Sequence, residues 1–352
     1  MAKQNRKERK KRLKSLVLLL FLTIVLLSTS TYAWFTANRS VAIDPINVNI
    51  AASSGLQIST NASEWKTLIT NTDITGVTNY SSNVNQFPSL LAPVSTGGTT
   101  DSTTGYLNFY KGVVAGDENN GGAMSLTATK SPNEAQGTTG DFIAFDIFLK
   151  VDQQSDIYLE NGSGVKNTTG YTDKGLQYAA RYAFVIEGNV AGTATAAQAQ
   201  ALKAATDVYI VEPNYDAHTT TGVANASTYY NQTTTAATSG VTAVPYLGVI
   251  AAITDPIILR NTNPGGTADS TKFASISGLM KTNVAYSNAD TTYVAYTGTS
   301  QAAHLLKVFT LQPGITKVRV YMWVEGQDVD CENSASGAYL TYKLGFTLDD
   351  EE

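Results

Sequence analysis

Three segments of this chain alternate apolar and polar residues with a period of two, the pattern of a β-strand with one face in a core. In residues 142–151, Asp146 and Lys150 stand on the face opposite the apolar one. The apolar face carries Ile143, Phe145, Ile147, Leu149 and Val151 in this segment, then Val318, Val320, Met322 and Val324, and finally Leu340, Tyr342, Leu344, Phe346 and Leu348. We expect the last two segments to form an antiparallel pair joined by residues 326–338, a loop too long for a tight hairpin.

Weaker patterns complete a mainly β prediction. Shorter apolar runs predict strands at residues 46–50, 156–159, 177–187 and 208–211. Residues 195–205 predict one short helix because alanine is the best helix former. Only 15% of residues are charged, and the abundant Ser, Thr, Asn and Gly suit sheets with polar outer faces and long polar loops.

The fold class that we expect is an antiparallel β-sandwich of the jelly-roll kind. Polar, low-complexity sequence predicts loop insertions at about 188–240 and 261–300. A strand near the start of the domain is expected to pair with one near the end and so close the sandwich.

The N-terminus has the layout of an export signal. A basic stretch at residues 3–14 precedes an apolar run at 16–27, and residues 15–38 carry no charge. So short an apolar run is typical of a signal peptide. The alternative is a retained membrane anchor through residues 15–38, which are long enough to cross a bilayer as a helix.

The candidate cleavage site is Thr31-Tyr32-Ala33, which places small residues before a cut ahead of Trp34. Ser28-Thr29-Ser30 offers a second site. Residues 1–33 are therefore expected to be a signal peptide or anchor, and residues 34–352 an extracellular β-sandwich domain.

The acidic charge fits a secreted surface protein, although the cysteine content gives no disulfide framework. The chain has a net charge of −5, its first 14 residues carry +7, and the remainder therefore carries −12. An acidic surface argues against a nucleic-acid partner, which requires basic residues. The single cysteine, Cys331, allows no intrachain disulfide. We expect it to be a small buried or half-buried side chain, with an intermolecular disulfide as the alternative.

The segment Thr31-Tyr32-Ala33-Trp34-Phe35-Thr36-Ala37-Asn38 resembles the processing region of the TasA/camelysin family of secreted bacterial proteins. The resemblance covers the cleavage site and the β-rich character downstream. It implies cleavage by a dedicated signal peptidase, a jelly-roll β-sandwich, and assembly into extracellular fibres of the biofilm matrix. A metalloprotease activity is associated with part of the camelysin branch, but this chain has no recognisable ligand set for it.

Recognisable catalytic motifs are absent from the sequence. The two histidines, His218 and His304, have no second His or Cys at ligand spacing, and a zinc site needs three or four ligands. Nucleophile-elbow and phosphate-loop motifs are also missing. We therefore expect a protein that is not an enzyme and has no required cofactor.

One acidic segment is a candidate calcium site. Asp328, Asp330 and Glu332 alternate just after the strongest C-terminal strand, and Ca²⁺ collects carboxylate and carbonyl oxygens from such loops. The alternative is a solvated turn in which the acidic side chains cap backbone N–H groups.

Two functions fit these observations. The first is a structural subunit that binds copies of itself, with Ile43, Ile46, Val48 and Ile50 forming a strand that adds to a neighbouring sheet. The same segment could instead pair within its own sandwich. The second is a membrane-anchored adhesin or glycan-binding module on the bacterial surface, with Tyr229-Tyr230-Asn231-Gln232 as an aromatic, polar binding loop. Signal peptidase and the membrane are partners during export in both cases.

Overall fold

The computed structural model describes residues 41–43, 50–51, 55–75, 80, 83–117, 123–159, 163–213, 247–258, 270–275, 280–281, 306–328, 330–331 and 335–348. All of them belong to one compact unit, Ala33–Glu352. This unit is mainly β with antiparallel sheets, which confirms the broad fold class. Within the described ranges, no helix combines the length and the apolar character needed to cross a membrane.

The strands follow one another along the described residues as β1 (Val41–Ile43), β2 (Ile50–Ala51), β3 (Gln57–Ser59), β4 (Leu68–Ile69), β5 (Leu90–Leu91), β6 (Tyr110–Asp117), β7 (Ala123–Lys130), β8 (Ile143–Val151), β9 (Ser155–Leu159), β10 (Gly164–Asn167), β11 (Ala180–Val190), β12 (Asp207–Val211), β13 (Leu247–Val249), β14 (Ile253–Ile258), β15 (Phe273–Ser275), β16 (Met280–Lys281), β17 (Leu306–Leu311), β18 (Gly314–Val324), β19 (Tyr339–Lys343) and β20 (Phe346–Thr347).

Two short helices accompany the strands in the described ranges, α1 (Asn71–Thr75) and α2 (Ala196–Gln200), together with a 3₁₀ turn at Leu176–Ala179. Helix α2 is the predicted helix, shortened to five residues. Thr195 and Gln198 form a capping box at its start, which satisfies free backbone N–H groups there. Helix α1 was not predicted from the sequence.

A six-stranded sheet in the order β16-β12-β11-β18-β8-β3 positions the candidate site. Its three long strands are antiparallel, and Val320 of β18 lies opposite Phe184 of β11 and Phe145 of β8. The apolar face of these strands packs into one core with side chains from β9, β10, β17, β19 and β20. The alternating segments at 142–151 and 317–324 are thus confirmed as strands.

The predicted pairing of the two C-terminal segments is wrong. β18 already has β11 and β8 as its two neighbours, whereas β19 pairs with β10 and β1 in a different sheet. The segment 340–348 is also not one strand, because β20 pairs with β9 rather than continuing β19. A strand with both edges occupied has no free backbone groups left for the segment that follows it in sequence.

A four-stranded sheet in the order β10-β19-β1-β5 joins the two ends of the domain. β1 runs parallel to β19, with Ala42 opposite Tyr339, and antiparallel to β5, with Ala42 opposite Leu90. The predicted pairing of a strand near the start with one near the end is confirmed, through β1 and β19. The sequence had placed the starting strand at residues 46–50. Of that segment only Ile50 is described.

The expected loop insertions contain regular structure. Residues 188–213 hold the end of β11, helix α2 and β12, and β15 and β16 fall within 261–300. Apart from residues 270–272, the remaining residues of both insertions lie outside the described ranges. A hairpin of β6 and β7 in the first half was also missed, because its sequence lacks clear alternation.

The second face of the central sheet is buried, whereas the sequence pattern predicted a polar outer face. All eleven residues of β18 are buried, including those on the face opposite the apolar one. Segments around residues 80–109 and 131–142 cover this face through side chains such as Phe109 and Glu134. The charged residues on it are therefore enclosed within the protein.

Candidate functional site

Oppositely charged side chains meet in the middle of this covered face. Asp146 on β8 lies directly opposite Arg319 on β18, and Arg319 Nη1 donates a hydrogen bond to Asp146 Oδ1 at 2.7 Å. Their exposed fractions are 1% and 0%. Apolar residues occupy β18 on both sides of the charges, with Ile315 toward one end and Trp323 toward the other. We call the charged residues between them the central cluster: Asp146, Arg319, Lys317, Glu187 and Glu134.

Lys317 enters the central cluster from the position two residues before Arg319. Its Nζ lies 2.7 Å from Glu187 Oε2 and 3.5 Å from Asp146 Oδ2. It also donates a hydrogen bond to the carbonyl oxygen of Leu202 at 2.9 Å. The amine is thus held between two carboxyl groups, with only 5% of the residue exposed.

A β-bulge brings Glu187 into the central cluster. The register of β11 against β18 shifts between Ile186 and Gly188, which makes Glu187 the extra residue. Such a bulge re-aims the side chain of the extra residue. Gly188 has a φ of 127°, a conformation that L side chains rarely adopt. The glycine therefore permits the local backbone that carries Glu187.

Loop residues close the cluster from outside the sheet. Both Nε and Nη2 of Arg319 donate to Glu134, whose side chain is only 2% exposed. Tyr80 donates its hydroxyl to Asp146. The ring of Tyr106 stacks on the guanidinium of Arg319, with 4.1 Å from the ring centroid to Cζ. Arg319 is thus neutralised by two carboxylates and covered by an aromatic ring.

The two acids next to Lys317 have opposite pKa shifts. Burial alone would raise the pKa of Asp146, but the charges of Arg319 and Lys317 outweigh burial and lower it. Burial, followed by the negative charge of Asp146, raises the pKa of Glu187 to about 7. Asp146 is therefore ionised at neutral pH, whereas Glu187 exchanges a proton there.

A second buried group of charges lies at the other end of β11. Arg181 Nη2 lies 2.8 Å from Glu212 Oε1 and 2.5 Å from Asp328 Oδ2. Glu325 is close by and accepts a hydrogen bond from Trp323 Nε1 at 3.1 Å. Burial raises the pKa of Glu325 to about 7, although the charge of Arg181 lowers it.

The predicted calcium residues belong in part to this second group. Asp328 is 3% exposed, pairs with Arg181, and accepts the backbone N–H of Asp330 at 2.9 Å. Asp330 is fully buried. The turn caps backbone N–H groups as the alternative predicted, but it is not solvated. Glu332 lies outside the described residues, and among those described no three His, Cys, Asp or Glu side chains are grouped as metal ligands. Calcium binding stays a prediction.

The predicted assembly strand is described only in part. Ile43 lies in β1, between β19 and β5, and Ile50 lies in β2, which pairs with β4. Ile46 and Val48 fall outside the described residues. So do the cleavage residues Thr31, Tyr32, Ala33 and Trp34, the histidines His218 and His304, and the tyrosine-rich loop at 229–232. Cys331 is buried, with 5% exposed, as expected of a small hydrophobic side chain.

The central cluster was missed at the level of the sequence because its members were assigned to a polar outer face. A usable signal was present in the sequence: acidic Asp146 lies on one strongly apolar strand, and basic Lys317 and Arg319 lie on another.

Searches of protein-family models, of curated proteins and of solved structures find no match to this chain.

Proposed function

We propose that this protein is a secreted, non-enzymatic structural subunit of an extracellular filament, biofilm-matrix fibre or surface layer, assembled by β-strand addition. The observation that carries the proposal is the position of β1. This strand of three residues, Val41–Ile43, occupies an internal place between β19 and β5 although it lies near the N-terminal end of the domain.

A short terminal strand in an internal position is suited to exchange between copies. Without β1, β19 and β5 would each present an unpaired row of backbone N–H and C=O groups. The equivalent strand of a second copy satisfies the same groups with the same register. Exchange of an identical element is a low-cost route to assembly because the strand makes the same contacts in the second copy as in its own.

The leader gives this exchange a trigger. Cleavage before Trp34 would leave seven residues ahead of Val41, so β1 would lie close to a free chain end. A free end can leave one sheet and enter another, whereas a membrane-anchored end is restrained. Processing by signal peptidase at the membrane would thus license assembly outside the cell.

The rest of the domain suits a passive building block. We propose a jelly-roll-like sandwich, in keeping with the resemblance to TasA/camelysin proteins and with the shared core between the central sheet and β9, β10, β17, β19 and β20. Buried charges such as Arg319 and Asp146 are paired with one another. Such pairing supports a structural role for these charges.

An engineered disulfide distinguishes exchange from pairing within one chain. Ala42 and Leu90 face each other in the register of β1 and β5, so Ala42→Cys and Leu90→Cys would place two thiols together. Cys331→Ser removes the native thiol. After assembly and oxidation, exchange predicts a ladder of covalent oligomers on non-reducing gels. Filaments that yield only internally bridged monomers would overturn strand addition.

One observation favours the alternative function, a membrane-anchored adhesin or glycan-binding module. Tyr171, which is 45% exposed, stacks on Tyr339 with ring centroids 3.7 Å apart and an interplanar angle of 17°. Asn167 Nδ2 donates to the carbonyl oxygen of Tyr171 at 2.8 Å and so helps to hold this residue. An exposed aromatic face beside amide and hydroxyl groups suits a sugar ring.

Binding of the purified domain to cell-wall polysaccharide tests this alternative. Tyr171→Ala would weaken binding at least tenfold if the stacked pair is the platform, and Tyr158→Ala is a matched tyrosine control on β9. Equal binding by Tyr171→Ala and the parent would exclude this platform.

A further inference from the structure

Lys317, Asp146 and Glu187 bring an amine and two carboxyl groups together from three adjacent strands. β18 supplies Lys317, β8 supplies Asp146, and the bulge of β11 supplies Glu187. The amine nitrogen lies 3.5 Å from Asp146 Oδ2, an oxygen bonded to the carboxyl carbon Cγ, so the two groups are in contact. All three residues are at most 5% exposed.

We propose that Lys317 Nζ and Asp146 Cγ condense into an isopeptide bond that joins β18 covalently to β8, with Glu187 as the proton relay. The bond is a modification of the folded chain and does not depend on filament assembly. It requires no external oxidant or reductant, since an amine and a carboxyl group form an amide by loss of water alone.

Asp146 is the carboxyl group that is activated for attack. Arg319 donates to its Oδ1 at 2.7 Å, and the Tyr80 hydroxyl donates to its Oδ2. As the amine adds to Cγ, negative charge develops on the oxygen facing Arg319, and the guanidinium stabilises it. Neither carboxylate oxygen of Glu187 accepts a well-aligned hydrogen bond. Glu187 lacks such activation and is therefore not the acceptor.

Glu187 is placed to move protons. Its Oε2 lies 2.7 Å from Lys317 Nζ, although the two groups are not aligned as a hydrogen bond. A pKa near the ambient pH is optimal for a general acid–base group, and burial raises the pKa of Glu187 to about 7. This carboxyl group can therefore take a proton from the ammonium and return it to the departing oxygen.

The atoms balance within the three side chains. The ammonium of Lys317 carries three protons, and Glu187 passes the first of them to Asp146 Oδ2, so that a free amine meets a neutral carboxylic acid. The amine then forms the C–N bond to Asp146 Cγ. The bond from Cγ to Oδ2 breaks, and Oδ2 leaves as water after Glu187 delivers a second proton to it. One proton stays on the amide nitrogen. An ion pair thus becomes a neutral amide plus one water molecule, and Glu187 is regenerated.

The surroundings favour this condensation. The ring of Tyr80 lies over Lys317 Nζ at 5.8 Å and makes an edge contact with Phe148, the residue opposite Lys317 on β8. The carbonyl of Leu202 orients the amine. An enclosure of this kind excludes water, which opposes hydrolysis of the product. The product also removes two buried charges from a low-dielectric site.

A covalent bond here would provide the intrachain cross-link that a chain with one cysteine cannot form as a disulfide. The chain has one cysteine and no intrachain disulfide. A bond between residues 146 and 317 closes a long loop, and long loops gain the most from closure because the unfolded chain loses more entropy. For a protein outside the cell, such a bond would raise resistance to unfolding.

Intact-mass spectrometry of the purified, folded chain tests the proposal. The expected mass is lower than the sequence mass by one water molecule, and a proteolytic digest should contain one branched peptide that links Lys317 to Asp146. A chain at full sequence mass with no branched peptide would overturn the proposal. A branch between Lys317 and Glu187 would overturn the assignment of Asp146 as acceptor.

Two variants separate the chemistry from the fold. Glu187→Gln keeps the size of the relay and should slow bond formation by at least ~100-fold, so freshly folded variant has full sequence mass. Lys307→Arg changes an exposed pair, in which Lys307 Nζ lies 2.6 Å from Asp156 Oδ2, and should keep the water loss. Circular dichroism checks that both variants are folded. A folded Glu187→Gln chain that cross-links at the parent rate would contradict the relay role.

Discussion

Arg319 and Asp146 face each other across the ladder between β18 and β8, with 2.7 Å between Nη1 and Oδ1 and almost no exposed surface on either side chain. Arg319 also donates to Glu134, which a loop supplies from outside the sheet. One guanidinium therefore joins two strands to the loop that covers them. A buried group of this kind is sensitive to the loss of a single partner, because the others remain buried without compensation.

Arg319→Met is expected to lower the free energy of unfolding by about 3–5 kcal/mol, since it leaves Glu134 without a counter-charge and an oxygen of Asp146 without a donor. Urea denaturation followed by fluorescence measures the change. The control is Lys307→Met, which breaks an exposed pair with Asp156 and should cost less than ~1 kcal/mol. Similar losses in the two variants would show that Arg319 is not a central support.

Glu325 is expected to make stability fall as the pH rises from about 4.5 to about 7. Burial raises its pKa from an ordinary value of 4.5 to about 7, so the folded state holds its proton more tightly than the unfolded state. Stability is then fully present below pH 4.5 and is lost up to pH 7, by about 3 kcal/mol. Arg181 and Cys331 interact electrostatically with Glu325, and the backbone N–H of Asp328 donates to its carbonyl oxygen.

Denaturation midpoints of Glu325→Gln between pH 4.5 and 8 test this expectation. The variant should lose the share of the decline that Glu325 contributes, about 3 kcal/mol, while the share due to Glu187 remains, and it should be the more stable of the two at pH 8. Glu64→Gln replaces an exposed acid and serves as the control. A Glu325→Gln profile parallel to that of the parent would assign the decline to another group.

Gly188→Ala is expected to destabilise the protein by about 1–3 kcal/mol through the bulge that carries Glu187. The residue has a φ of 127°, and an added Cβ would lie 3.0 Å from Leu202 Cδ2. Gly137→Ala is matched, with a φ of 118° but no atom within 4 Å of the added Cβ. Thermal denaturation should show a smaller loss for Gly137→Ala. Equal losses would mean that backbone strain alone sets the effect and that Leu202 adds nothing.

The sequence predicts the long strands well because their apolar faces are unbroken. The alternation from Ile143 to Val151 and from Val318 to Val324 requires only local information, and both segments are strands. Which strands become neighbours depends on contacts far apart in the chain. The alternation therefore could not show that β18 pairs with β11 and β8 and not with β19.

The candidate site was harder to predict because the alternating polar residues of a strand do not reveal whether other segments cover that face of the sheet. Lys317 and Arg319 have the spacing of a solvated face, yet loop residues such as Tyr80 and Glu134 bury them. The bulge that turns Glu187 inward is likewise set by the register against β18. A search for opposite charges on strongly apolar strands would have identified Asp146 and Arg319 as a candidate pair.

Ala42→Pro is expected to abolish assembly while the monomer stays folded. Proline has no N–H and removes a ladder bond from β1, which lies between β19 and β5. β1 is not a strand of the six-stranded sheet, so the thermal midpoint should change little. Ala42→Ser keeps the backbone N–H and is the control at the same position. Negative-stain microscopy and circular dichroism measure the two properties separately. Filaments formed by Ala42→Pro would contradict exchange of β1, and an unfolded monomer would instead make β1 a support of its own domain.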